Sequence, residues 1–149
     1  MSEQRKIGIG SDHAGYELKE FIKHQLITKG FEIEDFGCFS NESVDYPDII
    51  HPLASAVDEG IISRAIIICG SGIGVSMVAN KYDGVRAALC CDVERARLAR
   101  QHNDANVLAM GARFTTQEQA VAMLNAFLET PFEGGRHERR VQKIPRSKK

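Results

Sequence analysis

The residues with the most chemistry to offer are a thiol at the end of an apolar run and the glycine-rich turn behind it. Ala65-Ile66-Ile67-Ile68-Cys69 runs straight into Gly70-Ser71-Gly72-Ile73-Gly74. The run reads as a buried strand, and the glycines free the backbone to turn tightly and aim its N–H groups at a ligand. Such a nest suits an anion, either a phosphate or an oxyanion formed during a reaction. Cys69 at its lip could exchange a proton with whatever binds there. Taken alone, the segment reads by default as a buried strand-end cysteine and a structural turn.

Other reactive side chains sit near element ends. Asp12 and His13 follow the first strand-like run, His102-Asn103-Asp104 ends a helical stretch, and Arg113 follows the last strand-like run. The C-terminal segment adds Gly134-Gly135-Arg136-His137 and Arg140, which could form an anion clamp. Each has a plainer role open to it. Asp12 could cap a helix, His102 could sit against a helix dipole, Arg113 could be a surface charge, and Arg136 and Arg140 could line a solvated helix face.

The elements that must position these residues alternate. Strands are expected at Ile7–Gly10, Phe31–Phe36, Ala65–Cys69, Val85–Cys90 and Asn106–Met110. The second alternates apolar and acidic residues, as a half-exposed edge strand would. The third is the continuous apolar run of a central parallel strand. Helices are expected over Tyr16–Lys29, from about Pro47 to Glu59 with Asp45 as N-cap and Pro47 and Pro52 in or near its first turns, and from the glycine turn to Lys81. Two more are expected: one from Asp92 to Gln101, and one opened by a Thr115-Thr116-Gln117-Glu118 capping box and ending near Thr130. A short last helix is possible in the segment from Phe132. The pattern is an α/β, Rossmann-like doubly wound fold: a five-stranded parallel sheet flanked by helices. Ligands of such folds bind beyond the carboxyl ends of the strands, and the candidates are expected to converge there, at one sheet edge.

Composition narrows the function classes. A chain of 149 residues suits a single domain, here 1–149 with a basic tail from about 132. No apolar run approaches the roughly 20 residues that span a bilayer, and the start of the chain shows no signal-peptide core, so no membrane partner and a cytoplasmic location are expected. Cys38, Cys69, Cys90 and Cys91 read as free thiols, and no His, Cys and carboxylate spacing suggests a metal. Residues 31–63 hold eight acids and no Lys or Arg, whereas residues 135–149 hold seven Lys or Arg. That tail lacks interleaved aromatics and the body is not basic, so no nucleic-acid partner is expected.

Together the candidates are the parts of an aldose–ketose isomerase for a phosphorylated sugar. Cations would hold the phosphate, and a histidine could open a cyclic sugar near neutral pH. Moving a carbonyl between C1 and C2 needs a base and donors for the enediolate oxygens, roles open to Cys69 and to Ser71 with the turn amides.

Ser11-Asp12-His13-Ala14-Gly15, Asp45-Tyr46-Pro47, the Cys69–Gly74 segment, Arg100–Leu108 and Glu133-Gly134-Gly135-Arg136-His137 together closely resemble the type B ribose-5-phosphate isomerases, in order over nearly the whole chain. The resemblance implies reversible, cofactor-free and metal-free interconversion of ribose 5-phosphate and ribulose 5-phosphate, a step of pentose phosphate metabolism. It also implies a homodimer or dimer of dimers with shared active sites. By position it makes Cys69 the proton-abstracting base and His102 and Asp12 the ring-opening residues. Ser71 stands where many members have threonine and keeps the hydroxyl. Gly70, Gly72 and Gly74 belong to the loop around the enediolate, Asn103 to a polar contact there, and Tyr46 to a pocket loop. His13, Arg113, Arg136, His137 and Arg140 match the phosphate-binding set. Some relatives use a glutamate base near the glycine loop, but here the cysteine is present and Val75 follows Gly74.

Three alternatives remain open on sequence. An isomerase for a six-carbon sugar phosphate such as allose 6-phosphate would share the catalytic parts. A non-catalytic sugar-phosphate sensor would have no need of Cys69. A dinucleotide enzyme is disfavoured because the third glycine of Gly70-x-Gly72-x-Gly74 comes one residue early and the motif follows the third strand.

Overall fold

The computed structural model describes residues 6–146. The remaining residues of the basic tail lie outside that range. Five parallel strands form one sheet in the order β2-β1-β3-β5-β4: β1 Lys6–Ser11, β2 Glu32–Asp35, β3 Arg64–Cys69, β4 Ala87–Leu89 and β5 Val107–Gly111. The helices are α1 Tyr16–Thr28, α2 Tyr46–Asp58, α3 Ile73–Ala79, α4 Val93–Asn103, α5 Gln117–Glu129 and α6 Arg136–Val141. The doubly wound parallel fold expected from the alternating pattern is therefore present, with β3 central and β2 at an edge.

Side chains alternate across each strand, so the sheet divides the interior into two cores. Ile66 and Ile68 face a core filled by Leu18, Ile22 and Leu26 of α1, Ala96 of α4, and Met123, Leu124 and Phe127 of α5. Ala65, Ile67 and Cys69 face the other, filled by Ile50, Leu53 and Val57 of α2 and Val75 and Ala79 of α3. Because β1, β3 and β5 are covered on both sides, they read as unbroken apolar runs.

One charged side chain of α1 is fully buried beside the first core. Lys19 has no exposed surface, and its Nζ lies 2.7 Å from Asp35 Oδ2 and 2.9 Å from Glu20 Oε2. The same carboxylate takes a bond from Lys23 at 2.9 Å and, through Oδ1, accepts the Gly37 N–H at 2.9 Å. Gly37 O in turn accepts the Ser11 N–H at 2.7 Å, so this network ends at the residue before Asp12.

Several boundaries differ from the sequence expectation. The capping box forms one residue later, between Thr116 and Gln119, because Thr115 is still extended. β4 is shorter than expected: Val85 is held in a turn by Tyr82 O, and the Arg86 N–H goes to the Asn106 side chain. Asp45 occupies the N-cap position of α2 but makes no side-chain cap bond, and Pro52 lies inside that helix rather than in its first turn. Helix α4 runs on to Asn103, where Asp104 adopts the left-handed conformation (φ 48°) that asparagine and aspartate tolerate best among non-glycine residues.

Candidate functional site

The strand order reverses between β1 and β3, because the chain leaves β1 toward one edge of the sheet and β3 toward the other. A crevice beyond the carboxyl ends is expected at that point. The registers bring three strand ends level there: Ser11 pairs with Ile68, and Cys69 with Gly111. Asp12, Cys69 and Arg113 therefore emerge side by side. The Asp12 N–H donates to Ile68 O at 3.2 Å, and the Arg113 N–H donates to Gly70 O at 3.0 Å.

Cys69 is 5% exposed, and its Sγ accepts the Gly72 N–H at 3.2 Å, so the sulfur sits inside the turn of the glycine loop. Gly72 has φ +80°, and a Cβ there would lie 2.5 Å from Leu89 Cδ1, so only glycine fits without displacement. The other glycines make room for side chains. A Cβ on Gly70 would meet the Arg113 guanidinium at 3.2 Å, and one on Gly74 would stand 2.6 Å from Tyr46 Cζ. The Tyr46 ring and the Arg113 cation thus lie directly on the loop. Ser71 Oγ accepts the Ile73 N–H at 3.1 Å and stands at the start of α3. Asp12 is 8% exposed and accepts the Gly15 N–H at 3.1 Å, so it does cap the turn after β1. The Val44 N–H donates to His13 Nδ1 at 3.2 Å, which leaves the proton of a neutral ring on Nε2. One edge of the sheet accordingly carries a thiol, a carboxylate, an imidazole, a guanidinium and an amide-rich loop.

The remaining candidates are elsewhere, and the expected convergence at one edge is corrected here. Helix α4 joins parallel strands β4 and β5, so it starts at the carboxyl edge and ends at the amino edge. His102 and Asn103, in its last turn, lie at the amino edge. Helix α5 returns the chain to the same edge, where the Glu133 N–H donates to Gln101 O at 3.1 Å. Helix α6, with Arg136, His137 and Arg140, then packs on α4. Within one chain the sheet separates this group from Cys69.

The amino-edge group is itself closely built. The His102 and His137 rings stack with centroids 4.3 Å apart and planes 7° apart. Their Nε2 atoms lie 3.9 and 3.5 Å from the same Glu133 oxygen. Desolvation, then the neighbouring His102 and Arg136, push the His137 imidazole below the ordinary histidine value, against a smaller opposite pull from Glu133. Arg100 anchors the whole corner. It is 5% exposed and donates to Asp104 Oδ1, Ala105 O and Thr130 O at 2.9, 2.7 and 3.1 Å. Sequence reasoning gave no role to Arg100 or Glu133; the only signal was the four-residue spacing of Arg100 and Asp104 on one helix face. Nor did it foresee the cluster of His102, Glu133 and His137, in which His102 is some thirty residues from the other two. A cavity of about 540 Å³ also opens at this edge, lined by Tyr82, Arg86, Asn103, Ile144 and Arg146 among others. It includes Asn103 but none of the carboxyl-edge candidates. Among the described residues no helix is long and apolar enough to cross a membrane.

Comparison with known proteins places this geometry in context. A family model described as ribose/galactose isomerase matches residues 7–144. Over 140 residues, 94% of each chain, the sequence is 44% identical to ribose-5-phosphate isomerase B of Escherichia coli. The fold superposes on ribose-5-phosphate isomerase B of Clostridium thermocellum with a TM-score of 0.92 at 50% identity, covering 93% of this chain and 94% of that one. It superposes on the Mycoplasma genitalium enzyme with bound ribulose 5-phosphate with a TM-score of 0.89 at 44% identity, covering 93% of both chains.

Proposed function

Given that the chain belongs to the ribose/galactose isomerase family, we propose that it interconverts ribose 5-phosphate and ribulose 5-phosphate, and that a second copy of the chain completes each active site. The observation that carries the catalytic half is the level emergence of Asp12, Cys69 and Arg113 around a glycine loop whose Gly72 N–H points at the Cys69 sulfur. The observation that carries the second half is the wide separation of His102, Arg136, His137 and Arg140 from that loop within one chain.

In this reading the partner's His102, with Asp12, opens the furanose by moving a proton between the ring oxygen and the C1 hydroxyl. Cys69 as thiolate then takes the C2 proton, leaving an enediolate. The loop amides and Ser71 donate to its oxygens where the charge develops. Return of the proton from Cys69 to C1, with transfer of the O2 proton to O1, gives the ketose. Asn103 of the second copy adds a polar contact, and Tyr46 lines the sugar pocket. His13 and Arg113 hold the phosphate from one side, and the partner's Arg136, His137 and Arg140 hold it from the other. The reaction as written uses no redox cofactor, because the hydrogen leaves and returns as a proton.

An apolar surface supports the dimer. Ile73 and Met77, one turn apart on α3, are 48% and 63% exposed, and Leu89 and Phe114 nearby are 42% and 70% exposed. Such side chains close to the loop suit a self-complementary two-fold contact.

Subunit mixing tests the reading. Cys69→Ala and His102→Ala are each expected to be inactive on ribose 5-phosphate. Unfolded together and refolded as random dimers, they should regain about a quarter of the natural rate, because half the dimers then hold one intact site of two. No recovery would refute the shared site. Activity on allose 6-phosphate but not ribose 5-phosphate would shift the substrate to six carbons.

A further inference from the structure

We propose that His102, Glu133 and His137 form a site for a divalent transition-metal ion of the zinc class, and that its occupation switches the isomerase off. One ligand atom from each residue lies within 4.8 Å of the other two. Both Nε2 atoms already look at the same carboxylate oxygen, at 3.5 and 3.9 Å. In a tetrahedral zinc site, bonds of about 2.0–2.1 Å put neighbouring ligand atoms about 3.4 Å apart. The histidine–carboxylate edges of the cluster are thus within about half an ångström of a bound geometry.

A second observation is independent of the clustering. His137 Nε2 is buried without a hydrogen-bond partner, on a residue that is 8% exposed. A buried ring nitrogen that makes no hydrogen bond, with its nearest carboxylate oxygen 3.5 Å away, is costly, and a metal ion between the two would satisfy it. His102 and Glu133 keep 40% and 49% of their side chains exposed, which leaves an entry path and room for water as the fourth ligand. The near-parallel rings must tilt for their lone pairs to converge, and the more exposed His102 has the freedom to turn. Two imidazoles and a carboxylate are a zinc ligand set, and imidazole also suits copper and nickel. The backbone beneath is fixed by the Glu133 N–H on Gln101 O and by Arg100 on Thr130 O.

Inhibition rests on the isomerase reading above; binding does not. A metal on His102 and His137 would withdraw the ring-opening histidine and a phosphate donor from the site they are proposed to complete. Zinc and sugar phosphate must then weaken each other by the same factor.

The test is zinc titration of the full chain against a chromophoric chelator, run beside the isomerase assay with ribose 5-phosphate. The variant is Glu133→Gln, which keeps the shape, all four cysteines and the proposed reaction groups. One zinc ion per chain is expected in the natural protein, with binding about tenfold or more weaker in the variant. Basal activity should be unchanged in the variant, its zinc inhibition relieved to the same extent, and EDTA should restore the inhibited natural enzyme. Equal zinc affinity in both chains would overturn the site. Zinc bound by the natural chain, lost in the variant and without effect on rate would uphold the site and overturn the switch. Absence of any isomerase activity would refute the reaction while the titration still judged the metal.

Discussion

Replacing Asp35 by asparagine should test what holds the floor of the site in place. The substitution keeps the shape of the side chain and removes the charge facing Lys19, whose ammonium is fully buried. Removing one partner of a buried ion pair costs about 3–5 kcal/mol. Glu20 remains 2.9 Å away as a partner with 37% of its side chain exposed, which puts the expected loss at the low end, about 3 kcal/mol. For a chain of this size each kcal/mol lowers Tm by about 2–4 °C, so a fall of about 6–12 °C is expected at pH 7. Lys19→Met should cost less, about 1 kcal/mol, because it removes the buried charge and leaves Asp35 with Lys23 and the Gly37 N–H. Acid separates the two further. Burial pushes the Asp35 carboxyl up, but hydrogen bonds from Lys19 and Lys23 outweigh it, and its value falls below the ordinary 3.8. A carboxyl lowered by folding stabilises above its unfolded value, and that stability is lost as pH falls through the folded value. Below about pH 4 the natural chain should therefore lose a component that Asp35→Asn never had, and their stabilities should converge. Urea unfolding followed by circular dichroism, from pH 7 down to the last pH with a native baseline, measures all of this. An asparagine variant within about 0.5 kcal/mol of the natural chain, or a methionine variant that costs more, would refute the reasoning.

Gly111→Ala should place a methyl 2.5 Å from Ser71 O and 2.6 Å from Ser71 C, forcing the glycine loop to move. A loss of about 1–3 kcal/mol in thermal stability and at least about tenfold in kcat is expected, and unchanged steady-state kinetics would contradict the loop's role. Arg136→Ala combined with Arg140→Ala should raise KM for ribose 5-phosphate by about 10–100-fold, and inorganic phosphate should inhibit the variant less well. Burial, then nearby Asp92, push the Cys90 thiol up to about 11. At pH 8 it should resist iodoacetamide until the protein unfolds; alkylation of the native protein at the rate of an exposed thiol, read by peptide mass mapping, would be the contrary result.

Much of the fold was legible because its main signals are local. Alternating apolar runs and amphipathic stretches define the strands and helices, and the acidic alternation of Glu32 and Glu34 marks an edge. The grouping of Asp12, Cys69 and Arg113 at the carboxyl edge was equally legible, since each lies at or just past the end of a strand. The wrong edge for His102 came from extending the strand-end rule to a residue that ends a helix. A helix between parallel strands must end opposite where it began, and that rule alone would have moved it. Lys19 escaped notice because it shares a helical face with Ile22 and Leu26, where a lysine normally turns its charge to water. Its burial depends on Asp35, which belongs to another element. The stacked pair His102 and His137 depends on side-chain geometry that no spacing encodes.

The borders of the sheet constrain how copies of the chain can meet. At one end β4 contributes only three residues to the ladder, and at the other β2 contributes four, with Glu32 exposed and Glu34 paired to Lys6 at 3.2 Å. Short, charged borders are poor templates for adding a strand from another molecule. Growth of the sheet from copy to copy, which would have no natural end, is thus discouraged. The two-fold contact proposed above would use the tips and helix faces instead, where it closes on itself and stops.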